Sequence, residues 1–177
     1  MIPNREECLR LMDDYGMLGN IIDHSLEVAR VALFLSKELN KRGQKIDLAL
    51  VEAASLLHDL TKTECLRTKE DHALKGCQVL ERMGYPRVGE VVAQHIWLIK
   101  EGDPSIVSEE EIVNYADKRV MHNRIVPLKE RFEDLRQRYG ENPKALQTME
   151  RLERLSYDIE QKIFLILQID PDDLQHL

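Results

Sequence analysis

The chain has 177 residues, 43% of them apolar, 32% charged and 5% aromatic, with 8 glycines and a net charge of −7. That length supports one substantial core, and the scarcity of aromatic residues and glycines leans away from a strand-rich barrel. The acidic balance argues against a broad grip on nucleic acid or on anionic membranes, both of which need clustered positive charge. The local exception is the stretch carrying Lys118, Arg119, Arg124, Lys129, Arg131, Arg136 and Arg138 against Glu130, Glu133 and Asp134. The N-terminus shows no basic-then-apolar signal, and no apolar run approaches the roughly 20 residues that span a bilayer. Cys8, Cys65 and Cys77 form no CxxC pair. They read as free thiols of a reduced, cytoplasmic protein.

Nearly every segment repeats at helical spacing, which predicts an all-α fold. Pro3 and Asn4 open a short helix that ends at Tyr15-Gly16. Asn20 or Asp23 caps a second helix reaching about Asn40. A third runs from Asp47 to Leu60, apolar on most sides and therefore central. A cap within Thr68–Asp71 starts a helix to Met83, and Pro86 opens the next toward Lys100. Gly102-Asp103-Pro104-Ser105 is a loop. Ser108 followed by Glu109, Glu110 and Glu111 starts a helix through Asp117 in the manner of a capping box. Pro127 kinks or interrupts the next helical segment, and Gly140-Glu141-Asn142-Pro143 punctuates a C-terminal helical hairpin. Its second arm carries Leu152, Leu155, Ile159, Ile163 and Ile166, a stripe that reads as core or as a homodimer contact. No strand stands out. The expected organisation is a single domain over 1–177, with a core at about 4–125 and a helical extension at about 126–170.

Five segments each put a metal-ligand type on their core-facing row: His24, His58 with Asp59, His72, His95 and Asp117. Ionisable groups facing a core need partners, since an unpaired buried carboxylate costs several kcal/mol or neutralises. An ion bound by all of them removes that difficulty. The positions are too scattered for a local zinc-finger spacing, so the ligands must converge through tertiary packing. Other residues carry weaker signals. Asp71 fits a helix N-cap as well as a partner for His72. Lys118, Arg119 and Arg124 read as solvent-facing charges, with phosphate contact as the rival reading. Trp97 reads as a packing residue before a base-pocket residue, and neither His122 nor His176 reads as a ligand.

His24-Ser25-Leu26-Glu27-Val28-Ala29, Leu56-Leu57-His58-Asp59-Leu60-Thr61-Lys62 and Tyr115-Ala116-Asp117-Lys118 together resemble the HD-domain (HDIG-type) metal-dependent phosphohydrolases. The resemblance covers roughly residues 4–125, and His72 and His95 fall where two-metal members of that family carry two extra histidines. It implies an HD-domain helical bundle in which His24, His58, Asp59 and Asp117 hold one ion. His72 and His95 would help hold a second, with Asp59 bridging the two. The implied cofactors are two divalent transition-metal ions. An all-His/carboxylate set suits Fe, Mn, Co, Ni or Zn. The implied reaction is hydrolysis of a phosphate ester or anhydride in a small nucleotide-like substrate by a metal-bridging hydroxide, with Asp59 and Lys62 as catalytic residues. Lys62 matches the family's HDxxK pattern as a phosphate contact. Thr61 stands where many relatives have Gly, which predicts an altered loop path before Lys62. The alternatives are a mononuclear nucleoside monophosphate phosphatase of the same fold and a non-catalytic metal-dependent regulatory module.

Overall fold

The computed structural model describes residues 1–99 and 102–177. Among them, nine α-helices carry nearly all the regular structure. They are α1 Arg5–Asp14, α2 Gly19–Lys41, α3 Leu48–Leu57, α4 Lys62–Thr68, α5 His72–Arg82, α6 Pro86–Ala93, α7 Glu109–Arg119, α8 Leu128–Tyr139 and α9 Pro143–Leu167. The fold is all-α, as the periodicity predicts. The central helix α2 packs along α3 and α7, α5 pairs with α6, and α8 pairs with α9. No described helix is long and apolar enough to cross a membrane.

Local chemistry explains most helix starts. Asn4 and Glu7 close a reciprocal capping box on α1, as do Ser108 and Glu111 on α7. The Asp47, Asp71 and Asn142 side chains accept from the first free backbone amides of α3, α5 and α9. Such caps satisfy donors that a helix leaves orphaned. The α9 stripe is core: Leu152, Ile159 and Ile163 are buried, and Leu155 and Ile166 pack against them.

Several boundaries differ from the sequence reading. α2 starts at Gly19 after Leu18, without a side-chain cap at Asn20 or Asp23. α3 ends at Leu57, and the backbone then turns into a separate short helix, α4. α6 stops at Ala93, well short of the expected Lys100, a residue outside the described set. Its C-cap Gln94 leaves the helical region at φ −106°, ψ 5°, so His95 follows the helix instead of riding on it. After Asp117 the chain forms a small antiparallel ribbon, β1 Val120–Met121 paired with β2 Arg124–Ile125. Pro127 is the N-cap of α8 and not a kink.

Arg119 is also not a solvent-facing charge, being 0% exposed. Its guanidinium donates to the Val126 carbonyl (2.8 Å), Tyr115 Oη (2.6 Å), Glu160 Oε2 (3.1 Å) and the Pro171 carbonyl (3.1 Å). Several acceptors converge on one buried cation, which ties α7 to α9 and to the C-terminal 3-10 turn Pro171–His176.

Candidate metal centre

All six proposed ligands meet in one cluster, buried except for the partly exposed His72. His24, His58 and Asp59 offer donor atoms within 4.8 Å of one another, and so do Asp59, His72 and His95; Asp59 belongs to both sets. Asp117 closes the first set, its Oδ1 lying 2.9 Å from His24 Nε2 and 3.6 Å from His58 Nε2. His72 Nε2 is 3.2 Å from both Asp59 Oδ1 and His95 Nε2.

Helix ends explain how the imidazoles are aimed. His58 sits just past α3 and donates Nδ1–H to the Ser55 carbonyl at 2.7 Å. His95 sits just past α6 and does the same to the Val92 carbonyl at 2.7 Å. Each uses a last-turn carbonyl that a helix tends to leave underused. His24 Nδ1–H points at the His122 carbonyl (3.0 Å), which the left-handed backbone of His122 (φ 57°) in the β1–β2 turn presents to it. With Nδ1 committed to a backbone carbonyl in all three rings, each Nε2 faces the cluster. Backbone acceptors of this kind set the tautomer of metal-binding histidines.

The interior of the cluster is poorly satisfied by the protein itself. His58 Nε2 and Asp59 Oδ1 are both buried without a hydrogen-bond partner. Burial opposes charge on His58, yet the carboxylates of Asp59 and Asp117 outweigh it and hold its pKa up at about 10. Burial, reinforced by charge on His58, pulls His95 down to about 3, leaving its ring neutral. Burial also opposes charge on both carboxylates. It is overcome at Asp59 by His58 and Lys62, and at Asp117 by Lys118 and His24, so both stay ionised well below the usual range. Orphaned donors of hard and borderline type, aimed at one another, fit a divalent metal centre.

Two lysines flank the carboxylates. Lys62 Nζ lies 2.7 Å from Asp59 Oδ2. The Thr61 substitution leaves that reach intact, since Thr61 holds φ −98°, which any residue adopts, and its hydroxyl donates to the His72 carbonyl at 2.9 Å. Thr61 thereby links the loop before Lys62 to the start of α5. Lys118, expected on the surface, is buried, and donates to Asp117 Oδ2 (2.5 Å) and to the His95 carbonyl (3.1 Å). Sequence reasoning missed this pinning role because a Lys beside a ligand Asp has no distinctive spacing.

The cluster opens into a cleft of about 540 Å³ whose far wall comes from the C-terminal hairpin, including Arg131, Leu135, Arg138, Tyr139, Met149 and Leu152. These residues escaped the sequence reading as site residues, although the basic stretch ending at Arg138 was their one visible signal. A hollow of about 580 Å³ beside Arg5, Glu27 and Arg30 contains none of the six ligand residues. Among the other candidates, Asp71 acts as the α5 N-cap. Trp97 is 42% exposed and neither packs into the core nor lines the cleft, and His176 and Arg124 are exposed. Cys8, Cys65 and Cys77 are free thiols, and burial pushes Cys8 up to about 12.

The sequence profile of the HD domain matches residues 21–121, more than half of the chain and the whole span that holds the six ligands. The chain belongs to the HD-domain family. This HD protein is 34% identical over 97 residues to a tRNA (cytidine(56)-2'-O)-methyltransferase of Thermoplasma volcanium, covering 54% of this chain and 27% of that protein. It is 28% identical over 143 residues to the protein of the same name from Picrophilus torridus, covering 73% and 40%. It is also 26% identical over 167 residues to Ribonuclease Y of Clostridium kluyveri, covering 94% and 30%. The HD chain thus spans well under half of each of these relatives. No solved structure matches it. HD domains are in general metal-dependent hydrolases, and the His/Asp cluster is suited to divalent metal.

Proposed function

We propose that this HD domain is a metal-dependent phosphohydrolase of a small, nucleotide-like phosphate ester or anhydride. It would hold two divalent ions, one by His24, His58, Asp59 and Asp117, the other by Asp59, His72 and His95. The observation that carries this reading is Asp59, shared by two donor triads with its Oδ1 buried and unpartnered. When bound, a pair of divalent ions supplies a nucleophilic water at neutral pH and a clamp for phosphate oxygens. The chain does the rest. The Ser55, Val92 and His122 carbonyls keep the imidazoles aimed. Lys118 pins Asp117 to the His95 backbone. Lys62, on the cleft wall next to Asp59, is placed to receive charge developing on the phosphoryl oxygens.

The match to Ribonuclease Y over 94% of this chain favours a second reading, a phosphodiester in RNA. The net charge of −7 weighs against it, since affinity for long nucleic acid rests on many phosphate contacts. One preparation decides between them. Elemental analysis after anaerobic reconstitution should find stoichiometric metal. Nucleoside polyphosphates and mononucleotides should be cleaved better than oligonucleotides, and chelation should abolish the activity. Preferred, strongly salt-dependent cleavage of oligonucleotides supports the RNA reading. Metal-loaded protein that hydrolyses none of these substrates is a binding module.

A further inference from the structure

The far wall of the cleft has a chemistry different from that of the ion cluster. Of the four basic side chains lining the cleft, three are engaged by carboxylates: Lys62 by Asp59, Lys118 by Asp117, and Arg138 by both oxygens of Asp134. Arg131 differs. Its side chain is 10% exposed, it makes one long contact to Asp134 (Nη1–Oδ2, 3.3 Å), and its buried Nε has no partner. Buried polar groups are nearly always satisfied, and an unmet donor on an obligate cation is a strong exception. Asp134 is shared by Arg131 and Arg138, so the three side chains together keep a net positive charge on α8. Around them lie Leu135, the half-exposed ring of Tyr139 with Arg138 stacked 5.9 Å from its centroid, and Met149 and Leu152 of α9.

We propose that the α8–α9 hairpin is a substrate-recognition wall for a nucleoside polyphosphate. Arg131 receives a phosphate other than the one at the ion cluster, and Leu135, Tyr139, Met149 and Leu152 receive the nucleoside. A guanidinium that lines the cleft and is held by only one long carboxylate contact suits a phosphate oxygen. An apolar wall with one aromatic ring suits a nucleobase face. A cleft of about 540 Å³ accommodates a ligand of that size. The proposal rests on the phosphohydrolase reading only in taking the ion cluster as the other phosphate's anchor.

Calorimetry on the full chain, reconstituted with manganese, tests it with three probes: AMP, the non-hydrolysable α,β-methylene analogue of ADP, and adenosine. Wild type should bind the diphosphate analogue more tightly than AMP, and AMP more tightly than adenosine. Arg131→Met should weaken the diphosphate analogue roughly 10- to 100-fold, the loss of one charged hydrogen-bonding group, and AMP less than twofold. Because Arg131 is buried, Arg131→Lys is the second variant. It keeps the charge without the fork and should still weaken the diphosphate analogue several-fold, with an unchanged melting temperature. Equal effects on both nucleotides, wild-type binding by both variants, or no preference of wild type for the diphosphate would each overturn the proposal. The expected binding pattern in a metal-loaded protein that cleaves no phosphate would instead sink the hydrolase reading and leave this one standing.

Discussion

The two halves of the ion cluster are built to different standards of rigidity. His24 and His58 have side chains 9% and 0% exposed, and each anchors Nδ1 on a backbone carbonyl while Asp117 lies across from both. In the other half only His95 is so anchored. His72 occupies the first turn of α5, its side chain 22% exposed, and among the described residues its ring nitrogens meet only Asp59 and His95. Asp59, 1% exposed, belongs equally to both. Ligands fixed before binding lose less freedom when the ion arrives. On the two-ion proposal, the His24/His58 half should therefore hold its ion tightly, and the His72/His95 half should exchange.

The sharpest way to break this comparison is to remove the residue the halves share. Asp59→Ala should lose most of both ions and reduce hydrolysis to background. His72→Ala should lose mainly one equivalent of two, and His24→Ala should strip the tighter one. Elemental analysis after dialysis measures all three. If His72→Ala empties the protein as completely as Asp59→Ala, the two halves are one cooperative site and the contrast disappears.

A large but different loss is expected at Lys62. Lys62→Met removes a cation beside Asp59 without removing a ligand, so metal content should hold while turnover falls on the order of 10²–10³-fold, the usual cost of one preorganised donor. Single-turnover kinetics on metal-replete protein reads it. Unchanged turnover would reduce Lys62 to a counter-ion for Asp59.

Much of this was legible in the sequence. The core-facing rows of His24, His58, His72 and Asp117 converge in the fold, and the caps at Asn4, Asp47 and Ser108 obey local rules that tertiary context rarely overrides. His95 joins the cluster by a route other than the expected one. The apolar row of α6 extrapolates to Ile99, but the helix ends at Ala93, and the His95 ring is aimed by the break. The burial of Arg119 was invisible because it depends on acceptors far along the chain, the Pro171 carbonyl and Glu160 among them, and that of Lys118 because its backbone acceptor, the His95 carbonyl, comes from another element. The Arg131 wall was hidden for the same reason, since only packing brings α8 over the cluster.

Protons offer a gentler test of the tighter half. The folded pKa of His58, about 10, lies above its unfolded value near 6.5, so the metal-free chain carries a proton there at neutral pH. Metal must displace it, and affinity should rise about tenfold per pH unit from pH 7, levelling off toward pH 10. In the metal-free chain, the stability contributed by that proton is complete below pH 6.5 and is lost as pH rises through 10. Melting temperatures of metal-free protein should fall between pH 8 and 10, while metal-loaded protein, with no proton at His58, should not change in parallel. Matching curves for the two forms would place the proton elsewhere.

The smallest effect should come from Asp71, which touches no ligand side chain yet sets where α5 begins. Its Oδ1 accepts from the Ala73 and Leu74 amides at 2.9 and 3.1 Å, and His72 is the first residue after it. Asp71→Ala should cost about 1 kcal/mol of stability, the usual loss of an N-cap. The His72 ring, less buried than its partners, should lose position as the first turn frays. Its backbone remains tied to Thr61, however, and Thr61 is 1% exposed and unaffected by the substitution. The expected outcome is a few-fold weaker second ion, an unchanged first ion, and no loss when Asn replaces Asp71, because Asn caps as well as Asp. If Asp71→Asn weakens the second ion as much as Asp71→Ala does, the charge of Asp71 matters to His72 directly, and the softer half of the cluster extends one residue further than its ring contacts indicate.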